Sequence, residues 1–234
     1  MRSEIYMESV ISKIAIMLVP ALLAVMLHEV SHGYIAERFG DPTARLLGRL
    51  TLNPFKHIDP IGTIALFIFG FGWARPVPVN PGNFRRPKRD MIWVAVAGPV
   101  TNLLLAIASA ILLRGLGYID QSFIGAAETY VKFSTPVKMM LGFSLYINTL
   151  LGVFNLIPVP PLDGGRILTG VLPERQAALI GRLEPFGFVL ILLLVFFTDL
   201  WRVILAPIIN TLVVLMAGSQ VEVVRQAMHF LFGH

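Results

Sequence analysis

No cysteine occurs among the 234 residues, so disulfides and thiolate metal ligands are excluded, a fact that leaves the compartment open. Charge is also sparse: Asp, Glu, Lys and Arg make up 14% of the chain, against 56% hydrophobic residues. A soluble domain of this size needs far more polar surface than that. Internal repeats and low-complexity segments are missing as well. What is present instead is a set of apolar runs, several approaching the roughly 20 residues that cross a bilayer. Composition therefore points to an integral helical membrane protein embedded in the lipid bilayer. The net charge of +5 reports in such a protein on topology and lipid headgroups, and nucleic acid is not an expected partner.

The first predicted span runs from about Val10 to Ala36, with Pro20 inside it. No small-residue cleavage site follows its apolar run, so it is expected to stay in the mature protein. A connector, Arg38 to Asp90, is rich in Pro, Gly, Asn and Arg. Within it, Ile61 to Phe71 is apolar but too short to span, and reads as a re-entrant or interfacial hairpin or as part of a small sheet. The stretch Arg75 to Pro81 alternates valine with other residues and suits an edge strand. Further spans are predicted at Met91–Leu113 and Met139–Asn155, after which Pro158, Pro160 and Pro161 stop regular helix. Two more apolar stretches, Phe186–Trp201 and Val203–Ala217, follow, and the path of the last is open. Val221, Val224, Met228 and Leu231 then recur at helical spacing, as in an interfacial helix. The expected fold is an all-α polytopic membrane protein with about four to six membrane helices and a small β or re-entrant element between the first and second spans. Residues 1–218 are expected to form one domain, and 219–234 an amphipathic tail.

Topology offers an internal check. His28 lies roughly 21 Å along the first helix from Ile14, so it belongs near the exit side of that span. The Met91 span leaves that side and the Met139 span returns to it, bringing Asp163 to the same face. The connector on that side carries Arg38, Arg45, Arg49, Lys56, Arg75, Arg85, Arg86, Lys88 and Arg89. An excess of basic residues marks a cytoplasmic loop, so a multi-pass protein of a bacterial cell membrane with this connector in the cytoplasm is expected.

His28, Glu29 and His32 form an H-E-x-x-H motif. The i, i+4 spacing places both imidazoles on one helix face, able to hold one zinc ion, with Glu29 offset as a general base. The bland alternative is three polar residues snorkelling at a membrane boundary. Ionisable groups within a span are costly, however, and usually functional. A catalytic zinc site needs a third protein ligand. Asp163, in Pro161-Leu162-Asp163-Gly164-Gly165, is the best candidate; its alternative role is to cap a short helix beginning at Gly164. His57 is the rival ligand, and otherwise a turn-stabilising histidine. Asn102 and Asn155 are polar groups in apolar spans, suited either to helix–helix hydrogen bonding or to holding a substrate backbone or an oxyanion. The proline-rich Asn155–Pro161 segment has unpaired backbone groups that an unwound substrate strand could join, with Val77–Val79 serving from the other side.

His28-Glu29-Val30-Ser31-His32, followed much later by Asn155-Leu156-Ile157-Pro158-Val159-Pro160-Pro161-Leu162-Asp163-Gly164, resembles the site-2 protease family of intramembrane metalloproteases. Gly98-Pro99-Val100-Thr101-Asn102 also resembles a family element. The likeness runs from about Ala24 to Arg166 and suits a compact member without PDZ or CBS domains. It implies zinc held by His28, His32 and Asp163, Glu29 as general base, and membrane proteins with a transmembrane helix as substrates. The alternative is a non-proteolytic metal transporter or sensor using the same ligands. Transporters spread polar residues along several helices and repeat their halves. This chain concentrates them at one depth, and zinc binding alone does not require a glutamate at position 29.

Overall fold

The computed structural model describes residues 2–62, 73–122 and 128–233. Its helices are α1 (Arg2–Arg38), α2 (Thr43–Leu46), α3 (Pro87–Ser122), α4 (Glu128–Asn155), α5 (Asp163–Val171), α6 (Glu174–Gly181), α7 (Gly187–Phe197), α8 (Ala206–Ala217) and α9 (Val221–Phe232). Among the described residues, four helical stretches are long and apolar enough to cross a membrane: Ile11–Arg38, Pro87–Asp120, Tyr130–Asn155 and Trp201–Phe232. The protein is an all-α polytopic membrane protein, as its composition predicts.

The helices meet through small residues, which is how helices approach when lipid removes the hydrophobic drive between them. Ala24 on α1 and Ala106 on α3 are fully buried. A Cβ at Gly152 of α4 would lie 3.1 Å from Leu103 Cγ and 3.3 Å from the Pro99 carbonyl, so glycine sets the α3–α4 distance. Gly142 does the same between α4 and α9, where a Cβ would meet Val224 Cα at 3.3 Å. Val224 joins Leu145, Ile209 and Val213 in the main apolar cluster. The expected tail is thus a helix packed on α4, with Val224 and Ala227 buried.

Between α1 and α3 the expected β element does not form as a strand among the described residues. A single antiparallel bridge joins Ile58 to Ala74. Most of the apolar stretch Ile61–Phe71 lies outside the described residues. The Arg75–Pro81 segment is extended, but Pro76 and Pro78 have no N–H to donate, which prevents a regular ladder. Three of its remaining donors find other acceptors. Arg75 N–H bonds the His57 carbonyl at 2.8 Å, Val77 N–H bonds Glu29 Oε2 at 2.8 Å, and Asn80 N–H bonds Asp41 Oδ2 at 2.7 Å.

Asp41 is the clasp of this connector. Its carboxylate is fully buried and also accepts from Thr43 N–H at 3.1 Å, from the Thr43 hydroxyl, and from Asn83 Nδ2 at 2.7 Å. Burial by itself raises its pKa. The bonds from Thr43, Asn83 and the Asn80 and Thr43 amides outweigh that and hold the carboxyl below its ordinary value. A depressed folded-state pKa contributes stability above the unfolded value, lost as pH falls through it. Asp41→Ala should therefore lower stability at neutral pH by about 1–3 kcal/mol, since several buried donors lose their acceptor. Thermal unfolding in detergent measures it. The gap between wild type and variant should narrow below about pH 4; a gap that is independent of pH would refute the clasp.

Candidate metal centre

α1 and α3 run antiparallel past each other, and their registers mesh at steps of four residues. On α1, His28 and His32 share a face. On α3, Val94, Gly98 and Asn102 share the face opposite. His32 Nδ1 lies 2.7 Å from the Val94 carbonyl, and His28 Nδ1 lies 2.6 Å from Asn102 Oδ1. A carbonyl oxygen only accepts, so at His32 the proton sits on Nδ1 and the Nε2 lone pair is left for a ligand role.

Gly98 falls between these contacts. A Cβ there would lie 2.5 Å from His28 Cε1 and 2.5 Å from His32 Nε2. Glycine is required because any side chain would occupy the space in front of both rings.

The third arm arrives from beyond α4. Pro158, Pro160 and Pro161 end the helix, and the chain turns back into α5. Gly164 and Gly165 let the first turn of α5 nest under that loop. A Cβ at Gly164 would meet the Leu156 and Ile157 carbonyls at 2.3 Å, and one at Gly165 would meet Pro160 N at 2.4 Å. Asp163 is the first residue of α5, and the N-cap position falls on Leu162. The carboxylate is therefore not a cap. It is buried and points at the histidines, its Oδ2 lying 3.2 Å from His28 Nε2 and 3.3 Å from His32 Nε2.

These residues fit a metal. The two Nε2 atoms are 3.1 Å apart, and Asp163 Oδ2 is buried with no well-formed hydrogen bond. Three lone-pair atoms facing one another in a buried place repel unless a cation lies among them. Their separations match the edge of about 3.3 Å expected for a tetrahedron with zinc–ligand bonds of 2.0–2.1 Å. His28, His32 and Asp163 form the one such cluster among the described residues.

Glu29 is half-buried on the neighbouring face of α1, its Oε2 held by Val77 N–H. Gly33, one turn further on, makes room for this: a Cβ there would lie 2.8 Å from Val77 Cγ1. His57 belongs to a different neighbourhood. Its Nε2 lies 2.8 Å from the Thr51 carbonyl, and its own carbonyl accepts from Arg75 N–H, so it ties two turns of the connector together. Asn155, the last residue of α4, is half-buried and donates Nδ2 to the Leu151 carbonyl at 3.0 Å. Asn102 is fully buried against His28, with no open face toward a substrate.

Two contacts of the site lie outside the sequence motifs. Asn148, which belongs to no motif, accepts from Asn102 Nδ2 at 2.9 Å. Its signal was available, as a polar amide in an apolar span. The Val77 amide carries no side-chain signal at all.

A membrane-embedded bundle that brings H-E-x-x-H and an aspartate to one buried point defines a zinc metalloprotease of the membrane. The chain belongs to peptidase family M50, whose match covers residues 15–197. It is 40% identical over 194 residues to a Bacillus subtilis protein named "Putative zinc metalloprotease YwhC", covering 83% of this chain and 85% of that one. It is 33% identical over 179 residues to "Putative zinc metalloprotease Rip2" of Mycolicibacterium smegmatis, covering 74% and 63% of the two chains. "Zinc metalloprotease MJ0392" of Methanocaldococcus jannaschii is 26% identical over 165 residues, covering 70% and 37%. No solved structure matches the chain.

The space in front of the rings yields a direct test. Gly98→Ala should bring zinc from about one equivalent to near none, read by elemental analysis of purified protein, because the new methyl lies within van der Waals overlap of both imidazoles. Full zinc content in a folded Gly98→Ala protein would contradict the geometry.

Proposed function

We propose that this chain hydrolyses peptide bonds in or near transmembrane helices of membrane-protein substrates, with His28, His32 and Asp163 as metal ligands and Glu29 as general base. The observation that carries the reading is the burial of all three ligands where the apolar helices α1, α3 and α4 meet, with Glu29 one residue from the first of them. Zinc held there supplies Lewis acidity toward water and toward a peptide carbonyl.

Glu29 accepts a proton from the attacking water as its oxygen bonds the scissile carbonyl carbon. The C–N bond then breaks, and Glu29 returns that proton to the leaving amine nitrogen. The Val77 amide holds one carboxylate oxygen, which orients the other for proton transfer. A helical substrate has its carbonyls bonded internally, so it must unwind before attack. Asn155 and the proline-broken backbone after it provide polar partners for the groups released.

Glu29→Gln should keep zinc at the wild-type level and lose cleavage of a transmembrane-helix substrate by at least about 100-fold, the scale of a removed general base. The assay uses purified protein in liposomes with a tagged substrate. Cleavage retained by the variant removes Glu29 from its role, while absent cleavage in zinc-loaded wild type favours a transporter or sensor.

The basic connector supports an orientation with Arg38–Asp90 in the cytoplasm. The lack of native cysteine makes this easy to examine. In bacterial cells, a Lys56→Cys protein should resist a membrane-impermeant maleimide until the membrane is opened. Labelling in intact cells reverses the orientation.

A further inference from the structure

Asn102 sits at the head of a directed chain of hydrogen bonds that crosses three helices. At the far end, Asn148 of α4 donates Nδ2 to the Ser144 carbonyl at 2.9 Å and to Ser144 Oγ at 3.3 Å. That fixes the Asn148 amide with its oxygen turned the other way. The oxygen accepts from Asn102 Nδ2 at 2.9 Å, and the same Nδ2 donates to the Ala24 carbonyl of α1 at 3.2 Å. Both donors of Asn102 are thus committed, and its amide has only one orientation. Oδ1 must face His28 Nδ1, 2.6 Å away.

An amide oxygen cannot donate. Against it, His28 satisfies the contact only by carrying its proton on Nδ1. The lone pair then lies on Nε2, the atom 3.2 Å from Asp163 Oδ2. Reversing the Asn102 amide would set its NH2 against Nδ1 and leave Nε2 protonated, a form that does not ligate. Reversal would also put Asn102 Oδ1 against Asn148 Oδ1 and the Ala24 carbonyl, acceptor against acceptor in a buried place. We infer that Asn102 is a positioning residue: oriented by Asn148, it sets the ring orientation and tautomer of His28 so that Nε2 is available to zinc.

The inference deepens the metal reading of the preceding subsection and does not depend on proteolysis. It also gives the Gly98–Asn102 spacing a meaning. One turn of α3 supplies an opening for the metal, and the next supplies the hydrogen-bond partner of its ligand. α4 contributes twice, through Asn148 and through Asp163 beyond its end, so one helix governs two of the three ligands.

The experiment measures zinc affinity of metal-stripped full-length protein in detergent, by competition with a chromophoric chelator and without substrate. Thermal unfolding of each metal-free protein is recorded alongside. Asn102→Ala should bind zinc about 10–100-fold more weakly, the cost typical of losing a ligand's hydrogen-bond partner. Asn102→Asp keeps an acceptor for His28 but loses both donors. It should unfold at lower temperature while binding zinc within about threefold of wild type, since carboxylates serve histidine ligands well. Asn148→Ala, which removes only the group that orients Asn102, should weaken zinc binding by a smaller factor than Asn102→Ala.

A merely structural role predicts something else: affinity would track unfolding temperature, and Asn102→Asp would lose as much affinity as Asn102→Ala. That pattern, or unchanged affinity in both Asn102→Ala and Asn148→Ala, overturns the inference. If Asn102→Asp does not fold, the two alanine variants decide. Because no cleavage is read, wild type that binds zinc without cutting would refute the protease assignment and leave this one standing.

Discussion

Three lone-pair atoms, two imidazole nitrogens and one carboxylate oxygen, face one another at 3.1–3.3 Å on three buried residues. Such an arrangement is unfavourable unless a cation joins them. The rest of the structure serves this convergence. α1 brings two of the atoms on one face, α3 supplies the backing carbonyl and the gap at Gly98, and α4 with its broken extension delivers the third. Small residues at each helix contact let the backbones come close enough.

The break after α4, between Asn155 and Asp163, has a structural cost. Backbone that is neither helix nor strand persists at membrane depth only where protein or a wet cavity surrounds it. Here the loop is enclosed by the first turn of α5, whose two glycines remove the atoms that would collide with loop carbonyls. The prolines have no N–H to leave unsatisfied, which lowers the number of orphaned donors. Composition and packing thus solve the same problem from two directions.

Much of this was legible beforehand. H-E-x-x-H has a fixed spacing on a regular helix, so its geometry follows from sequence alone. Asp163 could be reached by counting spans, because each crossing fixes which face the next loop occupies. The edge strand expected at Arg75–Pro81 does not form: alternation of valines suggests a strand, but Pro76 and Pro78 remove donors that a ladder needs. Asn102, a polar residue in an apolar span, suits either a helix–helix hydrogen bond or a hold on the substrate, and only three-dimensional packing shows its amide committed to His28, Asn148 and Ala24. Asp41 is hard to read from sequence for the opposite reason. A carboxylate in a polar loop looks solvated, and its four donors come from residues up to 42 positions away.

The Glu29 carboxylate is steadied by a main-chain amide and not by a side chain. Every amino acid except proline brings that donor, so position 77 can drift through the aliphatic residues without loosening the base. Alanine scanning would pass over it in silence, and so would a search for invariant polar residues. The proteins of this shape that a genetic screen finds broken will therefore underreport one of the contacts their chemistry uses.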